Sequence, residues 1–248
     1  MIRIVGVDCA TDPRKVGLAM AELSGTKARL LAAERGSAKS SLAGRIAEWM
    51  GAESRVLLAL DAPLGWPRLL GDTLSGHRAG EPVPGEPNRL FRRLTDRTVA
   101  AEIGKLPLDV GADRIARTAV AALGLVEELR ALSGRALPLA WDHELREPAV
   151  IEVYPAGTLA ARGLRSSGYK ERGQAEQRRE ILCALAERVE LPVDRSELEQ
   201  NADVLDAGLC VLAALDFLAG DVIEPEDAAT ARREGWIWVR PPARRERS

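Results

Sequence analysis

Three separated stretches of the chain each place aspartate where a divalent cation could be held. Ile4-Val5-Gly6-Val7-Asp8 reads as a buried strand ending in an acid, and Leu57-Leu58-Ala59-Leu60-Asp61 reads as a second. Asn201-Ala202-Asp203-Val204-Leu205-Asp206 opens a small-residue helix with two acids three positions apart, so both share one helix face. Acids at the ends of neighbouring strands, with a helix packed over those ends, gather hard oxygen ligands suited to magnesium or manganese. Two such ions about 3.5–4 Å apart can serve the attacking and leaving oxygens of a phosphodiester hydrolysis. In this reading Asp8 bridges, Asp61 and Asp206 flank, and Asp203 assists.

Other side chains can join them. Glu152 lies in a strand between Ile151 and Val153 and alternates away from them, as an additional ligand or a base orienting water, with Tyr154 on the same face. Lys170 follows a Gly/Ser turn and can meet a phosphate or leaving group. Arg89, Arg92, Arg93 and Arg97 recur at near-helical spacing and predict one basic face for a phosphate backbone, although Asp96 can pair with Arg92 or Arg93. Trp66 follows the Asp61 turn closely enough to stack a base. His77 is a weak proton-transfer candidate. Cys183 and Cys210 lie in apolar helical patterns and read as core thiols.

The elements that must position these groups can be outlined. Residues 2–9, 15–23 and 27–35 predict three strands joined by short turns, an antiparallel meander. A helix over 40–51 follows, then a strand over 55–61 that is apolar throughout and so covered on both faces. Residues 71–89, rich in Gly and Pro, predict an irregular loop. Helices are expected over 89–103, 112–133, 174–189 and 197–219, with strands over 149–154 and 236–239. The acids thus sit on the first strand, the fourth strand and the last of these helices.

This order, with acids at those places, resembles the ribonuclease H-like fold. Gly6-Val7-Asp8, Asp61-Ala62-Pro63-Leu64, Arg93-Leu94-Thr95-Asp96-Arg97, Glu152-Val153-Tyr154-Pro155, Tyr169-Lys170 and Asp203-Val204-Leu205-Asp206-Ala207 resemble, in order, the motifs of domain-of-unknown-function family 429. The resemblance spans about residues 1–240 and implies an α/β fold. Its mixed central sheet would join an antiparallel three-strand meander to parallel strands, flanked by helices. It also implies a metal-dependent nuclease. The Asp-x-x-Asp-Ala helix is similar to that of Holliday-junction resolvases, but those carry glutamate on the fourth strand where this chain has Asp61.

The expected organisation is one ribonuclease H-like domain over 1–240, with 67–148 as a loop-plus-helix insertion after the fourth strand and 241–248 as a polar tail. The expected activity is hydrolysis of nucleic-acid phosphodiesters, DNA or RNA, with Mg2+ or Mn2+. Two alternatives stand beside it. One is a nucleotide phosphotransferase or ATPase of the actin-like superfamily, which would need two such domains and a second glycine-rich phosphate loop. The other is a non-catalytic binding protein on the same fold.

Composition narrows the rest. The 248 residues carry 46% hydrophobic and 29% charged side chains and a net charge of −2, which fits a globular protein rather than a polycationic nucleic-acid coat. No apolar run is long enough for a membrane helix, and the start runs directly into a strand without a signal-peptide pattern. Three widely spaced cysteines indicate neither a disulfide framework nor a zinc site. A cytoplasmic location is expected.

Overall fold

A computed structural model describes residues 1–111 and 113–242. Of the polar tail expected at 241–248, residues 243–248 lie outside the described residues.

The chain opens with β1 (Ile2–Asp8), β2 (Gly17–Ser24) and β3 (Lys27–Arg35), then α1 (Leu42–Met50) and β4 (Val56–Asp61). Between β4 and the next strand run α2 (Arg68–Leu74), α3 (Pro87–Phe91), α4 (Leu94–Ile103) and α5 (Asp113–Ser133). Then come β5 (Ala149–Glu152), α6 (Pro155–Ala161), α7 (Ala175–Ala186), the two-residue β6 (Val189–Glu190), α8 (Ser196–Gln200), α9 (Ala202–Leu218) and α10 (Ala228–Glu234).

The strands form one sheet in the order β5-β4-β1-β2-β3-β6. β1, β2 and β3 pair antiparallel as the expected meander, while β4 pairs parallel to β1 and β5 parallel to β4. This is the mixed sheet, an antiparallel meander continued by parallel strands, that the sequence implies. Parallel pairing of β1 and β4 requires a crossover, which α1 supplies.

Both central strands are covered on both faces, which explains why they read as unbroken apolar runs. Ile4, Leu57 and Ala59 face a core shared with α9. Val5, Val7, Leu58 and Leu60 face a second core with Ile46 and Trp49 of α1 and Leu129 of α5. α9 is buried all round from Val204 to Phe217. Its closeness to the sheet depends on two glycines: a Cβ on Gly6 would run into the Ala207 carbonyl, and one on Gly17 into the Asp203 carbonyl.

Several elements depart from the sequence expectation. The helix expected over 89–103 is two, because Arg92 and Arg93 take extended backbone between α3 and α4. The helix expected over 197–219 is likewise split at Asn201, whose extended backbone ends α8 and whose side chain caps α9 by accepting from the Asp203 amide. A helix, α2, occupies the start of the expected irregular loop. Pro155 starts α6 at the helix position that proline favours. The strand expected over 236–239 reduces to a single bridge between Ile237 and Glu152. Cys210 is buried as expected, but Cys183 is exposed, since α7 turns Ile181, Leu182 and Leu185 inward instead.

Candidate metal centre and its cleft

Asp8 and Asp61 are register partners on adjacent parallel strands, so their side chains leave the same end of the sheet. Asp206 reaches them from the second turn of α9. Oxygens of Asp8, Asp61 and Asp206 all lie within 4.8 Å of one another. Asp206 is fully buried and Asp8 nearly so, while Asp61 is half-buried. Asp203 is half-exposed on the first turn of α9 and stands outside this trio, although its charge adds to the repulsion felt by Asp8 and Asp206.

Burial and mutual repulsion both act against ionisation. Asp8 is pushed well above the usual carboxylate range by burial, then by Asp206 and Asp61. Burial pushes Asp61 up to about 7, against the pull of the Lys170 ammonium. Burial also raises Asp206, again opposed by Lys170. Three buried carboxylates raised together are what a cation would relieve. The donors are all carboxylate oxygens, which fits a hard divalent ion such as Mg2+, Mn2+ or Ca2+ rather than zinc or copper.

Two further groups complete the centre. Tyr169 is buried and its hydroxyl donates to Asp206 Oδ1 at 2.8 Å. Lys170 places its Nζ on Asp206 Oδ2. Burial disfavours the Lys170 charge, but Asp206, Asp8 and Asp61 outweigh that and hold it above the usual lysine range. In the sequence Tyr169 stands only in the Tyr169-Lys170 motif, with no role of its own, because a tyrosine beside a turn carries no periodic signal.

The family model described as "Protein of unknown function (DUF429)" matches residues 6–230, which take in all three aspartate-bearing elements. The chain belongs to this family. A comparison with curated proteins finds no match. Among solved structures, this DUF429 chain is similar to "T. thermophilus RuvC in complex with Holliday junction substrate", with a TM-score of 0.35 and 14% identity, covering 89% of this chain and 97% of that one.

In the DUF429 chain a cleft of about 280 Å³ opens over the carboxylates. Asp8, Asp61 and Lys170 line one side; Pro107, Leu108, Ile115 and Tyr154 contribute to the rest. The Tyr154 hydroxyl donates to the Leu106 carbonyl at 3.4 Å, which ties that wall to α6. Trp66 is half-buried and is not on the cleft wall. His77 sits in an exposed loop against the Glu81 carbonyl.

Glu152 and Arg93 both line this cleft, but they are engaged with each other. Arg93, only 1% exposed, is turned inward at the break between α3 and α4. Its Nη1 and Nη2 donate to the two oxygens of Glu152 at 2.8 and 2.7 Å, and its Nη2 and Nε donate to Asp96 at 2.9 and 3.2 Å. Glu152 also accepts from the Leu64 amide at 2.9 Å. Both its oxygens are thus engaged, and it anchors the turn after Asp61 instead of offering a free ligand. Arg92 is held by Asp109 at 2.8 Å and by Asn88 at 2.8 Å. Arg97 is half-buried and lines a separate cavity with Arg68 and Arg89. The four arginines therefore form no common exposed face, because the helix that would align them is broken. Glu234, not singled out from sequence, ties the far side together by accepting from the Arg68 and Leu94 amides at 2.7 and 2.6 Å.

Among the described residues, no helix is long and apolar enough to cross a membrane.

Proposed function

We propose that this protein is a divalent-metal-dependent nuclease that hydrolyses phosphodiester bonds of nucleic acid, DNA or RNA. The observation that carries the reading is the convergence of Asp8, Asp61 and Asp206 from two strand ends and a helix, with Asp8 and Asp61 lining an open cleft. Asp8, Asp61 and Asp206 would hold Mg2+ or Mn2+, with Asp203 at the margin. When bound, such ions supply charge neutralisation at the phosphate and activation of water.

The chain's own residues have separable duties. Asp8 and Asp61 are fixed by strands covered on both faces, so their spacing is set before any ligand arrives. Asp206 is oriented by the Tyr169 hydroxyl and paired with Lys170. Lys170 keeps its charge and lines the cleft, where it can meet a phosphate oxygen or a leaving oxygen. Tyr154, whose hydroxyl is pushed up to about 12 mainly by burial, stays neutral and acts as wall and donor. Glu152 and Arg93 position the turn that follows Asp61. The basic face that sequence offered for the backbone has no part in this reading; of the cations lining the cleft, Arg93 is paired with Glu152 and Asp96, and Lys170 is the one assigned to the phosphate.

The test is cleavage of labelled single-stranded, duplex, hybrid and branched substrates with Mn2+ or Mg2+. Cleavage that needs the metal and is abolished by Asp8→Asn supports the reading. ATP turnover without cleavage of any nucleic acid would point to the phosphotransferase alternative. Absence of divalent-ion binding by calorimetry would point to a non-catalytic binding protein.

A further inference from the structure

The cleft has two chemically different sides. Asp8, Asp61 and Lys170 are its charged lining, and Pro107 and Leu108 between α4 and α5, with Ile115 on the first turn of α5, are its apolar lining. Leu108 is 69% exposed, an apolar side chain held at the mouth of a charged site. The volume of about 280 Å³ is at the lower limit of the roughly 300–1,000 Å³ of ordinary ligand pockets. It has room for one ring system with a phosphate and far too little for a double helix.

Charge points the same way. Long nucleic acids are gripped by stripes of cations along the backbone. Here Arg92 and Arg93 are committed to Asp109, Asp96 and Glu152, and the whole chain is net negative. Recognition then falls to the pocket itself, where apolar side chains beside carboxylates that would carry a divalent ion suit a flat base joined to a phosphate.

We infer that the cleft takes one unpaired nucleotide unit, its base against Leu108 and its scissile phosphate at Asp8, Asp61 and Lys170. This rests on the nuclease reading and narrows its substrate. A nucleotide paired inside a duplex cannot turn its base into the recess, so cleavage falls on single strands, unpaired loops or small nucleotide esters.

The full chain with Mn2+ is given one sequence as a single strand, as a perfect duplex, and as a duplex with a short unpaired loop. Single-strand and loop positions are cut faster than paired ones by about tenfold or more, the scale of one base-stacking contact. Leu108→Asp, at an exposed position that does not threaten folding, raises KM for the single strand by about tenfold with little change in kcat. Removing the base at the cut site raises KM for the wild type but adds nothing in Leu108→Asp. A dinucleotide ester cut as efficiently as the oligonucleotide also supports the pocket and identifies a small substrate as its source. Equal cutting of duplex and single strand, or an unchanged KM in Leu108→Asp, overturns the inference and leaves the nuclease reading standing. If nothing is cut, that reading fails, and an oligonucleotide carrying a fluorescent adenine analogue decides the pocket separately. A rise in fluorescence, as the base leaves its stacked neighbours, that is lost in Leu108→Asp keeps the assignment, and no rise removes it.

Discussion

The ammonium of Lys170 lies on the carboxylate of Asp206, so a protein cation already occupies one flank of the carboxylate trio. The pairing sets two effects against each other. Lys170 lowers the cost of gathering three acids, yet its charge repels any incoming metal ion. Lys170→Met should therefore bind Mn2+ more tightly, by about tenfold or more even if the site is screened as in water. It should also hydrolyse substrate more slowly, by about tenfold or more, for want of the cation that meets the phosphate. Titration calorimetry paired with rate measurements checks both, and weaker metal binding in the variant contradicts the first.

Asp61 ties stability to pH when no metal is present. Its folded-state pKa of about 7 compares with roughly 3.9 for a free aspartate. Between those values the folded chain keeps a proton that the unfolded chain releases, so stability falls as pH rises from about 4 to about 7. Asp8 is shifted in the same direction. With EDTA present, Asp61→Asn should be more stable than wild type above about pH 7, by about 1–3 kcal/mol, and the gap should close toward pH 4. Mn2+ should reverse the order. Urea unfolding across this range reads the difference, and a gap independent of pH would contradict the assignment.

Arg93 is a structural cation, and its replacement tests that directly. Arg93→Ala leaves Glu152 and Asp96 buried without a partner and should cost about 3–5 kcal/mol. Arg93→Lys should recover only part of this, since one ammonium cannot reproduce paired donation to two carboxylates. Denaturant midpoints measure the loss. If Arg93 instead gripped a phosphate backbone, Arg93→Ala would leave stability intact and flatten the salt dependence of nucleic-acid binding.

Gly6 tests the approach of α9 to the sheet. A side chain there would strike the Ala207 carbonyl, and backbone of a buried helix cannot yield cheaply. Gly6→Ala should destabilise the fold by about 2 kcal/mol or more. It should also weaken Mn2+ binding by moving Asp206 away from Asp8. A variant with lower stability but unchanged metal affinity would show that the helix adapts without shifting the acid.

The acids of β1, β4 and α9 were legible because each ends or begins a run whose apolar pattern is itself unambiguous. Burial on both faces of β4 followed from Val56–Leu60 being apolar without alternation. The break at Arg92 and Arg93 was not legible, since its cause lies partly in Glu152, 59 residues away from Arg93. For the same reason Glu152 read as a free acid: strand alternation gives its direction but not its partner. Leu108 was missed, and Tyr169 was named in a motif without a role, because turn and loop residues lack a period; only the folded chain shows that Tyr169 touches Asp206 and Leu108 lines the cleft.

Asp206 enters the site from α9, late in the chain, whereas Asp8 and Asp61 belong to its first quarter. During synthesis the amino-terminal strands can pair while the ribosome still holds the segment that supplies the third acid. A nascent chain, or one cut short before residue 202, carries only two members of the carboxylate trio. The centre is therefore complete only when the helix that caps the sheet has been made and docked.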